Sequence, residues 1–270
     1  ILIDYITGGL PELDVYDVKH MRMDELLTHL LQKEWKKKYR IVPPSPSLAW
    51  KSKMLFATEL EQHMQRLRAH ILGNCVVYDE ELGMLLSQKN NDDFIHGNPD
   101  YSINRLLVTL DERLRARIKI QCQGREEIGI YNHKLAQYKH YFSDHCYKGS
   151  VVNLYLQFLE VYGKAYYINM APVMEQISRG VFDVYDVAAM LLIYYRALQR
   201  KPDEEFGQIF IDEAQDFGPI VYYALRTVLP ACYFTIMGDV SQNVNYECGM
   251  NAWHDMREKI FNSGTDHFRV

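Results

Sequence analysis

The sequence predicts an α/β fold in which a parallel sheet carries a large, mostly helical insertion, and three observations carry that prediction. Two short apolar runs, Gln208-Ile209-Phe210-Ile211 and residues 232–237, each end near acids and flank one helix-length segment. Strand, helix, strand with apolar strands of this length is the pattern of a parallel sheet covered on both faces. Between residues 47 and 183, by contrast, apolar side chains recur at spacings of three and four, the stripe of amphipathic helices. Finally, 270 residues with 48% hydrophobic, 13% aromatic and 24% charged side chains can bury a substantial core. That composition excludes a disordered or collagen-like chain.

In order along the chain, residues 1–6 are apolar and are followed by the breakers Gly8, Gly9 and Pro11. The sequence opens on Ile1 without an initiator Met, and is therefore expected to be a piece of a longer protein. Residues 15–21 predict a short strand. Asp24 is placed to cap a helix through Leu26, Leu27, Leu30 and Leu31 that carries the basic run Lys33, Lys36, Lys37, Lys38 and Arg40. Pro43-Pro44-Ser45-Pro46 then reads as a stiff linker.

The next region predicts helices over 50–71, 103–120 and 151–162, with turn-rich sequence at 89–99. It holds 16 basic and 16 acidic side chains, so it carries no electrostatic bias, and it reads as an insertion with its own core. Asp183 is placed to cap a helix over 184–198 that is apolar on nearly every face, hence buried on more than one side. A helix over 219–228 separates the two apolar strands. The division expected is 1–46, 47–183 and 184–270.

The net charge of −5 excludes a chain that is basic throughout, while leaving room for a local basic groove such as one built on residues 33–40. No apolar run approaches the roughly 18–20 residues of a membrane span. The five cysteines are odd in number, scattered and without a C-x-x-C pair, which predicts reduced thiols and a cytoplasmic protein. His133, His140, His145 and Cys146 match no common zinc spacing, and the twenty tyrosines lie largely in apolar stripes, where they read as core.

The chemistry is concentrated in Ile209-Phe210-Ile211-Asp212-Glu213-Ala214-Gln215-Asp216. In open α/β sheets ligands bind beyond the carboxyl ends of the strands. There an Asp offers a hard oxygen ligand to Mg²⁺, and an adjacent Glu can orient or deprotonate water. One helix later, Phe234-Thr235-Ile236-Met237-Gly238-Asp239-Val240-Ser241-Gln242 ends a second strand in Gly-Asp, with an amide three residues on. A parallel neighbour would bring Gln242 near Asp212 and Glu213.

Together these segments resemble motifs II and III of the superfamily 1 helicases of the UvrD/Rep type. Asp4-Tyr5-Ile6, Leu10-Pro11-Glu12-Leu13 and Asp186-Val187-Ala188-Ala189-Met190-Leu191 resemble the HelD-like branch, as does a long helical insertion between the two parts. The resemblance implies a partial RecA-like domain of a P-loop NTPase, working with ATP and Mg²⁺. It implies Asp212 as the Mg²⁺ ligand, Glu213 as the residue activating water and Gln242 as the γ-phosphate sensor. Asp239 would hold the loop of Gln242, with Gln215 and Asp216 linking motif II to the sensor and nucleic-acid side. Two partners remain open, DNA guided by the insertion, or RNA polymerase gripped by a clamp-like arm as in bacterial members of the branch. The even charge of 47–183 leans toward a protein partner. Met21-Arg22-Met23 stands where UvrD-type helicases carry the Thr and His of motif Ib, a departure that weighs against strand contact there.

No G-x-x-x-x-G-K-[ST] occurs; Gly163-Lys164-Ala165 has Phe158 at the first glycine position and Ala165 at the hydroxyl position. Without that loop there is no backbone cradle for phosphates and no lysine to reach them. The second RecA-like domain of the family is also not represented. This chain alone is therefore expected to hydrolyse no ATP, although the full-length protein would be an ATP hydrolase.

Overall fold

The computed structural model describes residues 18–123, 128–198 and 206–261. The readings of residues 4–6 and 10–13, of the turn at 200–205 and of the last residues lie outside them. Most of the chain is helical, and its strands form three two-stranded sheets.

Helix α1 (Met23–Leu31) buries Leu26, Leu27, Leu30 and Leu31, the predicted stripe. Its start is fixed by Glu25, whose carboxylate accepts the Arg22 N–H at 3.0 Å. Asp24 pairs with the Arg22 side chain instead of capping. The helix stops at Gln32, whose φ of 51° turns the backbone left-handed, so the basic run lies beyond α1 in a short 3-10 turn and loop rather than on the helix. Of the strand predicted over 15–21, residues 15–17 lie outside the described residues, and 18–21 form no strand, with Val18 and Met21 exposed.

Strand β1 (Arg40–Ile41) pairs in parallel with β4 (Val181–Phe182). This ladder sets the two ends of the 47–183 segment side by side. Within that segment, a 3-10 turn (Pro46–Ser52) takes up Trp50 before α2 (Met54–Leu72) begins. Helices α3 (Gln88–His96), α4 (Ile103–Cys122) and α6 (Val151–Tyr166) each start on a serine, at 87, 102 and 150, whose hydroxyl accepts the N–H three residues on. Helix α5 (Ile128–Gln137) lies between α4 and α6, and α7 (Ala171–Ser178) precedes β4.

The sequence pattern did not predict the hairpin of β2 (Val77–Asp79) and β3 (Gly83–Leu86). Gly83, at φ 77°, makes its turn, and buried Asp79 accepts the N–H groups of Glu81 and Leu82 at 3.0 Å. Lys134 and Tyr138 pin the same carboxylate from the side, at 2.8 and 2.9 Å.

Helix α8 (Val184–Ile193) is the centre of the molecule, with all ten residues buried. Asp183 caps it, its Oδ1 accepting the N–H of Tyr185 and Asp186 at 2.9 and 3.0 Å. The helix continues as a π-turn (Tyr194–Leu198). Onto α8 pack α1, α6 and α9 (Pro219–Val228), so the helices of 47–183 share one hydrophobic core with the rest rather than enclosing their own. The reason is chemical: apart from Asp186, α8 is apolar on nearly every face and needs cover on most sides. No helix among the described residues is long and apolar enough to cross a membrane.

Strands β5 (Gln208–Ile211) and β6 (Tyr233–Ile236) pair in parallel, in the register Gln208↔Tyr233 to Ile211↔Ile236. They were expected to be covered on both faces, but among the described residues only one face is. Ile211 is buried and Phe234 lies against Phe261, at 5.6 Å between ring centroids. On the other face Phe210 is 67% exposed, Tyr233 77% and Met237 49%. Parallel pairing alternates side chains between faces, and no layer of the described residues covers this second face.

Candidate functional site

The segment after β5 turns abruptly. Glu213 sits at φ 51°, ψ 40°, a left-handed conformation uncommon for a residue with a Cβ. Strained backbone of this kind persists where its surroundings hold it, and it clusters at functional sites. Here the restraints are explicit. The Ala214 N–H donates to Met237 O and the Met237 N–H to Ile211 O, at 2.9 and 2.8 Å, tying the turn to the end of β6. The Asp216 N–H closes a turn onto Glu213 O at 3.0 Å, and the buried Tyr222 hydroxyl of α9 donates to Ala214 O at 2.5 Å. Asp212 Oδ1 accepts the Glu213 N–H at 2.9 Å.

Gln215 is the hinge pin of the arrangement. Its buried side chain donates from Nε2 to Glu213 Oε2 at 2.6 Å, while its Oε1 accepts the Asp239 N–H at 2.9 Å. One amide thus joins the two acidic segments. Close approach is possible because residue 238 is glycine: a Cβ there would collide with Gln215 Oε1 and lie 2.9 Å from Ala214 N. Asp239 in turn organises its own loop, with Oδ1 accepting the N–H and hydroxyl of Ser241 at 2.9 and 2.7 Å. Its Oδ2 accepts Gln242 Nε2 at 3.0 Å. The hydrogen bonds from Ser241, then that from Gln242, hold the Asp239 carboxyl below the usual range.

The structure therefore brings Glu213, Gln215, Asp239 and Gln242 into one chain of hydrogen bonds at the carboxyl ends of the paired strands. Gln242 folds onto Asp239, and its link to Glu213 runs through Asp239 and Gln215 rather than directly. Asp212, Glu213, Asp239 and Gln242 are all exposed, and none lines the cleft of about 610 Å³ bordered by Glu61, Arg68, Asp92 and Arg196. Among the described residues no group of three or more His, Cys, Asp or Glu side chains gathers as a metal cage. A pair of adjacent exposed carboxylates suits Mg²⁺, which keeps several waters and takes one or two carboxylates plus phosphate oxygens.

Sequence reasoning missed a second polar cluster, below this loop. Lys51, wholly buried, bridges Asp183 and Asp186, with Nζ 2.9 Å from Asp186 Oδ1. The Tyr155 hydroxyl of α6 donates to the same Asp186 oxygen at 2.6 Å. Burial opposes the Lys51 ammonium, but Asp186 and Asp183 outweigh it and raise its pKa. Burial and then the Asp186 charge push Asp183 up to about 6. The readable signal was Asp183 and Asp186 at the cap and third positions of an otherwise apolar helix, where buried carboxylates need a cation.

The chain matches no protein-family model and no curated protein.

Proposed function

We propose that the chain is the Walker B and sensor part of an ATP-driven motor of the superfamily 1, HelD-like kind, a partial RecA-like domain interrupted by a helical segment. The observation that carries this reading is the Gln215 bridge, which couples the acid pair after one parallel strand to the Gly-Asp loop after its neighbour. Mg²⁺-ATP, when bound, supplies the electrophilic γ-phosphoryl group and the cation that neutralises its charge. Asp212 would hold the cation, directly or through water. Glu213, set by its left-handed backbone and by Gln215, orients and deprotonates the attacking water. Gln242, whose amide donates to Asp239, would report on the phosphate once it releases that carboxylate. A cytoplasmic DNA helicase or translocase is the activity proposed for the full-length protein. The second reading is a factor that binds RNA polymerase through 47–183, favoured by the 16-to-16 charge balance of that segment.

The test uses Mn²⁺ as a paramagnetic stand-in for Mg²⁺ on the 270-residue chain. Amide resonances of residues 212–214 and 239–242 should broaden first, and Asp212→Asn should abolish the effect. Broadening led by other acidic surface would refute the site. Robust ATP turnover by this chain that Glu213→Gln removes would instead overturn the expectation that the phosphate loop is necessary.

A further inference from the structure

The buried Lys51 cluster and the acidic loop are joined by a continuous set of close contacts. Ser52, the next residue and also wholly buried, lies under Gly218, the N-cap of α9 and two residues beyond Asp216. A Cβ on Gly218 would collide with Ser52 Cβ and lie 2.8 Å from Cys248 O. The Cys248 carbonyl also accepts the Tyr185 hydroxyl at 2.8 Å, from the first turn of the helix that Lys51 holds. Lys53 Nζ donates to Glu247 O at 2.6 Å. Residues 247–250 are therefore clamped from below by both sides of the Lys51 cluster.

From above, the same strap grips Gln215. The Met250 N–H donates to Gln215 O at 2.9 Å, and a Cβ on Gly249 would collide with that carbonyl oxygen. Gln215 is the residue whose amide sets both Glu213 and Asp239. Apart from the exposed Lys53 bond, every link is a buried side chain, a backbone hydrogen bond or a tight glycine contact. Packed interiors transmit such displacements because they are dense.

We propose that Lys51 is a positioning residue for the acidic loop: through Ser52, the strap 247–250 and Gln215, it fixes where the Glu213 and Asp239 segments stand. With Tyr155 of α6 on the same carboxylate, this makes the helical segment 47–183 able to bias the loop. The nucleotide role of the loop rests on the function proposed above; the mechanical link does not, and its test needs no nucleotide.

The test is residue-resolved amide hydrogen exchange on the 270-residue chain, comparing the parent with Lys51→Met and, as a milder change that keeps the fold, Tyr155→Phe. The Asp239 and Met250 amides, both donated to Gln215, should exchange about tenfold faster, the size expected for loss of one net hydrogen bond. The Met237 amide, bonded to Ile211 O just beyond the β5–β6 ladder, should hold its rate. In a Gly249→Ala background, which severs the strap above the cluster, Tyr155→Phe should no longer move the Asp239 amide, a non-additivity that a merely structural role does not produce. The proposal is overturned if the Asp239 and Met250 amides keep their rates in both variants. Uniform acceleration of all amides in Tyr155→Phe, or full additivity with Gly249→Ala, overturns it equally.

Discussion

Replacing Lys51 by methionine removes the cation that Asp183 and Asp186 share while nearly preserving volume. Both carboxylates are at most 2% exposed, so they gain no water in exchange. Breaking a buried ion pair by deleting one partner costs about 3–5 kcal/mol, against a total domain stability on the order of 5–15 kcal/mol. The loss should depend on pH with a definite sign. Asp183 in the folded protein is already raised from 3.8 to about 6, so the folded state holds a proton there more tightly than the unfolded chain does. Its contribution is complete below about pH 4 and lost as pH rises through about 6. Without Lys51 the same carboxyl moves higher still. The deficit of Lys51→Met relative to the parent is therefore largest near neutral pH and shrinks as Asp183 takes up a proton. Urea denaturation followed by circular dichroism at about pH 7.5 and about pH 5 measures both stabilities. A deficit below about 1 kcal/mol at the higher pH, or one of equal size at both, would refute the ion-pair account.

Three further outcomes are expected. Lys134→Met should cost about 2–4 kcal/mol near neutral pH by stranding Asp79. Asp79 tends upward through burial, but Lys134, the Leu82 N–H and Tyr138 together hold it at about 2. The stability it confers is present above pH 4 and lost toward pH 2, so acid unfolding curves of parent and variant should converge there. Gly180→Ala places a Cβ at φ 76° and 2.9 Å from the Tyr39 ring, and should lower stability by about 1–2 kcal/mol in the same denaturation assay. Gln215→Ala should remove both side-chain bonds of the bridge, accelerating exchange of the Asp239 amide at least tenfold while shifting the thermal midpoint only modestly, since Glu213 and Asp239 remain in water.

Much of the framework was legible because it rests on short-range patterning. Helix α9 and strands β5 and β6 were bounded to within a residue or two by apolar runs ending at Pro219, at the acids and at Gly238, and Asp183 announced the start of α8. The hairpin of β2 and β3 was not legible: its strands hold three and four residues, and only Gly83 marked the turn. Exposure of Phe210 and Tyr233 was also beyond reach, since apolar strands reveal a need for cover without naming what covers them. At the site, residue types and spacing pointed to Asp212, Glu213, Asp239 and Gln242. The resemblance implied Gln215 as a link toward the sensor loop, but the two bonds by which it joins the loops depended on the rotamer of one amide and the left-handed backbone at Glu213. Lys51 fell unremarked inside the helix predicted over 50–71, because its partners stand more than 130 positions away.

That separation has a counterpart in the small ladder between β1 and β4. Two residue pairs close a loop running from Arg40 to Val181, and for a loop of that length chain statistics charge about 4 kcal/mol. So few backbone bonds cannot meet that cost unaided. The ladder must be a late event in folding, assembled once α1 and α8 have docked, and its amides would serve as a clock hand that moves only after the helices between them have found their places.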